Sequence, residues 1–69
     1  MVSVGEGVLV NIAQMWFGSA AFDEETWVAA TVIDITGNDD HPAQYWLRLE
    51  KPIAGWEEVV VEEERLRKL

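Results

Sequence analysis

Residues 27–36 read WVAATVIDIT, and this stretch gives the strongest indication of the fold class. It combines an aromatic residue with several β-branched ones, a composition typical of β-strands. Apolar side chains occupy both alternating sets of positions, as expected for a central strand that is covered on two faces. We therefore predict a central strand here, with the large side chain of Trp27 in the core.

Patterns on the C-terminal side of this strand predict further strands. After a cluster of turn-forming residues at 37–42, residues 45–50 alternate, with apolar side chains at the odd positions. The even positions, Trp46 among them, are then expected on a face exposed to water. A similar alternation predicts a strand at 56–61. Residues 62–69 fit either a short helix or a helical turn that leads into a last strand.

The N-terminal part of the chain completes the fold prediction. Residues 2–12 alternate between apolar and small or polar side chains, which predicts a first strand. Residues 13–26 are irregular, and so long a connection in a small domain is either functional or folds onto its own apolar side chains. The expected fold class is all-β: a single domain at 1–69, forming a small barrel of about five strands with a long first loop and a short helical turn near the C-terminus.

Three segments carry patterns that recur in one class of small barrels. They are Val4-Gly5-Glu6 with Val8 and Val10, then residues 27–35, and finally residues 57–69. In that order they are similar to V-G-D/E-x-V-x-A/V, W-Y/F-x-A-x-V-x-x-I and E-x-V-x-x-x-x-L-R-x-L of the Tudor and Agenet group. The chain thus resembles the SH3-like barrel class, and most nearly its Tudor-like members. The resemblance implies an SH3-like barrel over nearly the whole chain.

The resemblance also implies where a ligand cage would lie. Tudor domains that read methylated lysine or arginine enclose the cation in aromatic rings, because a ring face attracts a desolvated cation. The corresponding positions fall near Ile12, Val28, Leu49 and Pro52. None of these residues is aromatic, so methyl-reading activity is not expected.

The charge of the chain is large and unevenly distributed. Its 69 residues include 13 acids and 5 bases, giving a formal net charge of −8, and the first 47 residues contain seven acids and no Lys or Arg. A general nucleic-acid surface needs clustered basic residues, so no direct nucleic-acid binding is expected. The lack of Cys excludes disulfides and thiolate chemistry. No apolar run is long enough to span a bilayer, and a cytoplasmic location is expected.

A surplus of large apolar side chains is the most informative functional feature. Within the long loop, these side chains either plug one end of the barrel or form an adaptable patch with aromatic residues from the later strands. A patch would serve a protein partner or self-association, and small domains gain stability as homo-oligomers. The candidate contact residues are Met15, Trp16, Phe17, Phe22, Trp46 and Trp56.

The acidic clusters have simpler interpretations. Asp39, Asp40 and His41 lie in a turn-forming stretch whose side chains are suited to bonding their own backbone, and no second cluster of His or Cys completes a metal site. No metal, cofactor or catalytic residue is therefore predicted, and an enzyme would need an active site shared between subunits. The acids expected to steer a basic partner are Asp23, Glu24, Glu25, Asp39 and Asp40.

Two functional hypotheses follow from these features. The first is a non-catalytic small interaction module that self-associates, binds a protein partner, or does both, through the aromatic patch. The alternative is a small acidic inhibitor from a phage or mobile element, which imitates nucleic acid with spaced carboxylates. For the charge itself, solubility is the simpler explanation.

Overall fold

The structure, a computed structural model, describes residues 2–18 and 20–69. The described chain is nearly all β, as predicted, with one short 3₁₀ turn. Its elements, in chain order, are β1 (Gly7–Asn11), β2 (Trp16–Phe17), β3 (Ala20–Ala21), β4 (Trp27–Asn38), β5 (His41–Ile53), β6 (Trp56–Glu62), the 3₁₀ turn (Glu63–Arg65) and β7 (Leu66–Lys68). Within the described residues, no helix has the length and apolar character needed to cross a membrane.

The main sheet has five antiparallel strands in the order β6-β5-β4-β1-β7. The central position of β4 confirms the prediction for residues 27–36. Strands β2 and β3 form a separate two-stranded sheet within the long first connection. Among the described residues, no pairing joins β6 to β7, so the main sheet is open and these two strands are its edges.

One face of the main sheet forms the core. Three strands alternate as predicted: the first strand, residues 45–50 and residues 56–61. In each of them every second side chain points into the core, as a half-buried sheet requires. Phe17 from the long connection joins this core. Buried residues of the core are Val8, Val10, Ile12, Phe17, Ala30, Val32, Tyr45, Leu47, Leu49, Val59 and Val61.

The predicted core position of Trp27 is wrong, because Trp27 has the parity opposite to the core-facing Ala30 and Val32. It is only partly buried, and the Arg67 guanidinium stacks over its ring, with Cζ 4.2 Å from the ring centroid. Its indole N–H donates to the Glu25 carboxylate. The second face of β4 is therefore only partly covered, and polar and charged groups supply part of that cover.

Two tight turns join the long strands. The chain reverses at Asp39 and Asp40, so the predicted turn at 37–42 is narrower than its sequence pattern, and the strands continue into its flanks. The β5–β6 turn is formed by Ala54 and Gly55, with φ of 50° and 85°. Positive φ at both central residues is typical of a type I′ hairpin turn, whose twist matches that of the strands.

The C-terminal segment follows the second alternative, a helical turn that leads into a last strand. The Tyr45 hydroxyl donates to Glu63 in the 3₁₀ turn at 2.9 Å. This hydrogen bond, followed by burial and the negative charge of Glu63, raises the pKa of Tyr45. Arg65 then donates from Nη1 to the backbone carbonyls of Asn11 and Ala13, at 2.9 Å each. The turn therefore fixes the start of the long first connection.

Candidate interaction groove

The long first connection folds onto its own apolar side chains. Asn11 holds the two ends of the connection together, because its Oδ1 accepts hydrogen bonds from the backbone N–H groups of Ala13 and Thr26. Further in, Phe17 and Phe22 meet edge to face, with ring centroids 6.2 Å apart and planes at 78°. This geometry is favourable for aromatic pairs. The connection is thus an ordered part of the domain that carries side chains to defined places.

Adjacent residues of this connection have opposite roles, because neighbouring side chains of a strand point to opposite faces. Phe17 is 1% exposed and packs in the core, whereas Trp16 is 74% exposed. Phe22 is partly buried against the core, and so is Met15. The prediction of Phe17 as a contact residue is therefore corrected: it anchors the loop and offers a partner almost no surface. Phe22 is a packing residue of the same anchor.

An open groove of about 550 Å³ lies between this connection and the last two long strands. The connection contributes Met15, Trp16 and the edge of Phe17, and β5 contributes Trp46. From β6, the lining consists of Trp56, Glu57, Glu58, Val59 and Val60. Five of the six predicted contact residues therefore line one groove, and the sixth, Phe22, packs against Phe17 instead.

The ring of Trp46 is fixed by polar contacts on the outer face of the sheet. Its indole N–H donates to Oε1 of Glu58 at 2.9 Å, while Arg48 pairs with Oε2 of the same carboxylate at 3.2 Å. These two hydrogen bonds, that of Trp46 first, lower the pKa of Glu58. The carboxylate is therefore charged at neutral pH and holds Trp46, which is 42% exposed, in one orientation.

Trp56 and Val60 complete the apolar lining. Trp56 is 49% exposed and follows the type I′ turn, where it pairs with Ile53. The indole Nε1 lies 3.6 Å from the position that a Cβ atom at Gly18 would occupy, so Gly18 approaches this ring closely. Val60 is 46% exposed and lies opposite Trp46 across the β5–β6 pair. Val60 was not among the contact residues predicted from the sequence. It alternates in step with Glu58 and Glu62, which indicates that its side chain lies on the outer face of the sheet.

The predicted acidic clusters lie apart from one another. Residues 23–25 are exposed just before β4 begins, and residues 39–40 are exposed at the turn where it ends. His41 begins β5, and within the described residues no group of three acidic or imidazole side chains is arranged to hold a metal ion. At the positions suggested by the Tudor resemblance, Ile12 and Leu49 are buried in the core.

The groove combines apolar contact area with negative charge. Three of the four tryptophans of the chain line it, together with the flexible thioether of Met15 and two carboxylates. Exposed tryptophans provide large contact areas at little entropic cost, because their side chains have only two rotatable bonds. No family model, curated protein or solved structure matches this chain.

Proposed function

We propose that this protein is a non-catalytic interaction module that binds a protein partner, a second copy of itself included, through the groove. The observation that carries the proposal is the convergence of Trp16, Trp46, Trp56 and Val60, all exposed, on one groove. Clustered exposed apolar side chains mark contact sites. Tryptophan is also among the residues most enriched where interface energy is concentrated.

We also propose that the domain is a relative of the SH3-like barrels, nearest to the Tudor-like members. The strand order β6-β5-β4-β1-β7, the long connection after β1 and the 3₁₀ turn before β7 support this relationship. The proposal concerns the fold alone, because folds of this kind carry many unrelated functions.

The function is tested by photo-crosslinking in the cell. A photoreactive amino acid replaces Trp16 in one variant and Val4 in a control, since both side chains are exposed and Val4 lies outside the groove. We expect discrete protein adducts from position 16 and none from position 4. An adduct of twice the mass of the chain identifies self-association, and sedimentation of the purified protein then measures it. Equal labelling at both positions, or none at position 16, contradicts the proposal.

The alternative function, an acidic inhibitor that imitates nucleic acid, is supported by the net charge of −8. It is less well supported by the placement of the acids, because the clusters at 23–25 and 39–40 are separated by the length of β4. Neutralising these five acids and measuring salt-dependent binding to a DNA-binding protein tests it. Unchanged binding removes this alternative.

A further inference from the structure

Strands β2 and β6 both contribute side chains to the groove, and each lies at the edge of its sheet. In the part of the chain that the structure describes, β6 pairs with β5 on one side and with no strand on the other. Strand β2 likewise pairs with β3 and with no further strand there. The edge of a sheet presents backbone N–H and C=O groups that are ready to pair with an added strand. Both elements that border the groove can therefore offer backbone hydrogen bonds as well as side chains.

The charge on the β6 side of the groove is negative. Glu57 and Glu58 line the groove, and Glu62 follows on the same face of β6 as Glu58. No Lys or Arg is among the described lining residues, and the nearby Arg48 is paired with Glu58. The chain as a whole carries a net charge of −8. A ligand that complements this surface carries positive charge.

We propose that the groove binds an extended, cationic segment of a partner protein, which adds to β6 as a further strand. The inference rests on the proposed function and specifies its partner. Strand addition takes affinity from backbone hydrogen bonds and specificity from alternating side chains. Arginine or lysine side chains of the segment pair with the carboxylates and stack on the exposed indoles, which attract cations.

The alternation of β6 predicts the sequence of the segment. Val59 and Val61 point to the core, whereas Glu58, Val60 and Glu62 point outward. Cross-strand neighbours share a face of a sheet. An added strand therefore places apolar side chains beside Val59 and basic side chains beside Glu58 and Glu62. The expected ligand alternates apolar and basic residues.

A second copy of this chain is a poorer occupant. Pairing β6 with β6 of another copy brings acidic residues against each other, and like charges directly opposite in a sheet are destabilising. The other edge, β7, is basic, but Arg67 stacks on Trp27 in the same chain. Arg65, just before β7, donates to the carbonyls of Asn11 and Ala13. Both guanidinium groups are thus already engaged within the domain, which leaves Lys68 as the remaining cation of β7.

The test uses a capped synthetic peptide of about six residues, a typical strand length, with alternating arginine and valine. Binding is measured by calorimetry and by tryptophan fluorescence. One control peptide is N-methylated at alternate backbone nitrogens, which keeps its charge but removes donors. A second control replaces arginine by glutamate. We expect each control peptide to bind at least about tenfold more weakly than the parent peptide, because each lacks one source of affinity.

Matched variants of the protein locate the site. Glu62→Gln, on the outward face of β6, should weaken binding of the parent peptide several-fold, whereas Glu50→Gln, on β5 and outside the groove, should not. Trp16→Ala should weaken binding about tenfold or more, whereas Leu69→Ala, a similarly exposed side chain, should not. Hydrogen exchange should slow in β6 on binding and remain unchanged in β7, the other edge of the same sheet.

The outcomes separate this inference from the proposed function. If the N-methylated peptide binds as well as the parent and β6 gains no protection, strand addition is refuted. If the glutamate peptide binds equally well, the cationic preference is refuted. If the protein instead forms a dimer that Trp16→Ala abolishes, and ignores the peptide, the occupant is a second copy. In all three cases the groove remains the contact site. Absence of peptide binding refutes this inference, and if self-association and crosslinks at position 16 are absent as well, the proposed function is refuted too.

Discussion

Replacing Phe17 and Trp16 in turn tests how the long connection is anchored. These neighbours differ in exposure, at 1% and 74%, so truncating each to alanine should change the stability by very different amounts. Burial of a Phe side chain in a packed core makes Phe17→Ala cost about 3–5 kcal/mol of unfolding free energy. Trp16→Ala should change it by less than about 0.5 kcal/mol, as is usual for surface positions.

The size of the domain makes this difference decisive. At about 0.05–0.15 kcal/mol per residue, a chain of 69 residues has a total stability of about 3–10 kcal/mol. Phe17→Ala therefore removes much or all of it, and Phe17→Leu, which keeps most of the volume, serves as the variant that still folds. We expect Phe17→Leu to cost about 1–2 kcal/mol, in part through the lost edge-to-face contact with Phe22.

Urea unfolding, monitored by far-ultraviolet circular dichroism, measures these unfolding free energies. The signal does not depend on the fluorescence of the tryptophan that Trp16→Ala removes. A double-mutant cycle of Phe17→Leu with Phe22→Leu should give a coupling of about 0.5–1.5 kcal/mol, the range found for aromatic pairs. The reasoning is refuted if Trp16→Ala destabilises the protein as much as Phe17→Leu does. A coupling near zero would show that the two rings do not support each other.

Three further predictions concern the turns and the outer face. Gly37 has φ of 147°, and a Cβ there would lie 2.8 Å from a backbone atom of β5, so Gly37→Ala should lower the urea midpoint by the equivalent of about 1–3 kcal/mol. Ala54→Asn should raise stability by up to about 1 kcal/mol, because Asn-Gly suits a type I′ turn better than Ala-Gly; a lower urea midpoint contradicts this. The lowered pKa of Glu58 means that its contribution to stability is present at neutral pH and is lost as the pH falls through its folded-state pKa. Glu58→Gln should therefore make the urea midpoint less dependent on pH in the acid range, and a dependence equal to that of the parent protein contradicts this.

The sequence predicted the structure best where one face of a strand is buried. Residues 45–50 and 56–61 alternate because their odd positions face the core, and this period of two can be read without knowing which strands pair. The exposed position of Trp46 followed from the same pattern and is confirmed. In these strands the local sequence carries the information that decides burial.

Prediction failed where both parities are apolar. In residues 27–36 apolar side chains occupy both odd and even positions, so the local pattern does not show which of them face the core. Pairing with distant strands decides this. Val8, a core residue, lies opposite Ala30, whereas Trp27 lies opposite Asn11 at the end of β1 and has the other parity. The position of Trp27 therefore depends on contacts that no local pattern contains.

The long connection shows a similar limit. Its sequence allowed either a plug in the core or an exposed patch, and the structure combines the two, with Phe17 inside and Trp16 outside. The two-residue strands that separate them are too short for a periodic signal. The convergence of Trp16 with Trp56 in one groove likewise depends on the approach of Gly18 to Trp56, a tertiary contact that no local pattern contains.

The acidic residues of β6 bear on the choice between a solubilising and a selective role for the net charge. Directly opposite side chains of paired strands lie about 5 Å apart, a distance at which two like charges repel each other. Edge-to-edge pairing of two copies would incur this repulsion at Glu58 and again at Glu62, both on the outward face. A cationic strand in the same place gains attraction of similar size. One set of carboxylates can therefore both oppose aggregation through an open edge and select a basic partner, so the two roles are consequences of the same charge placement.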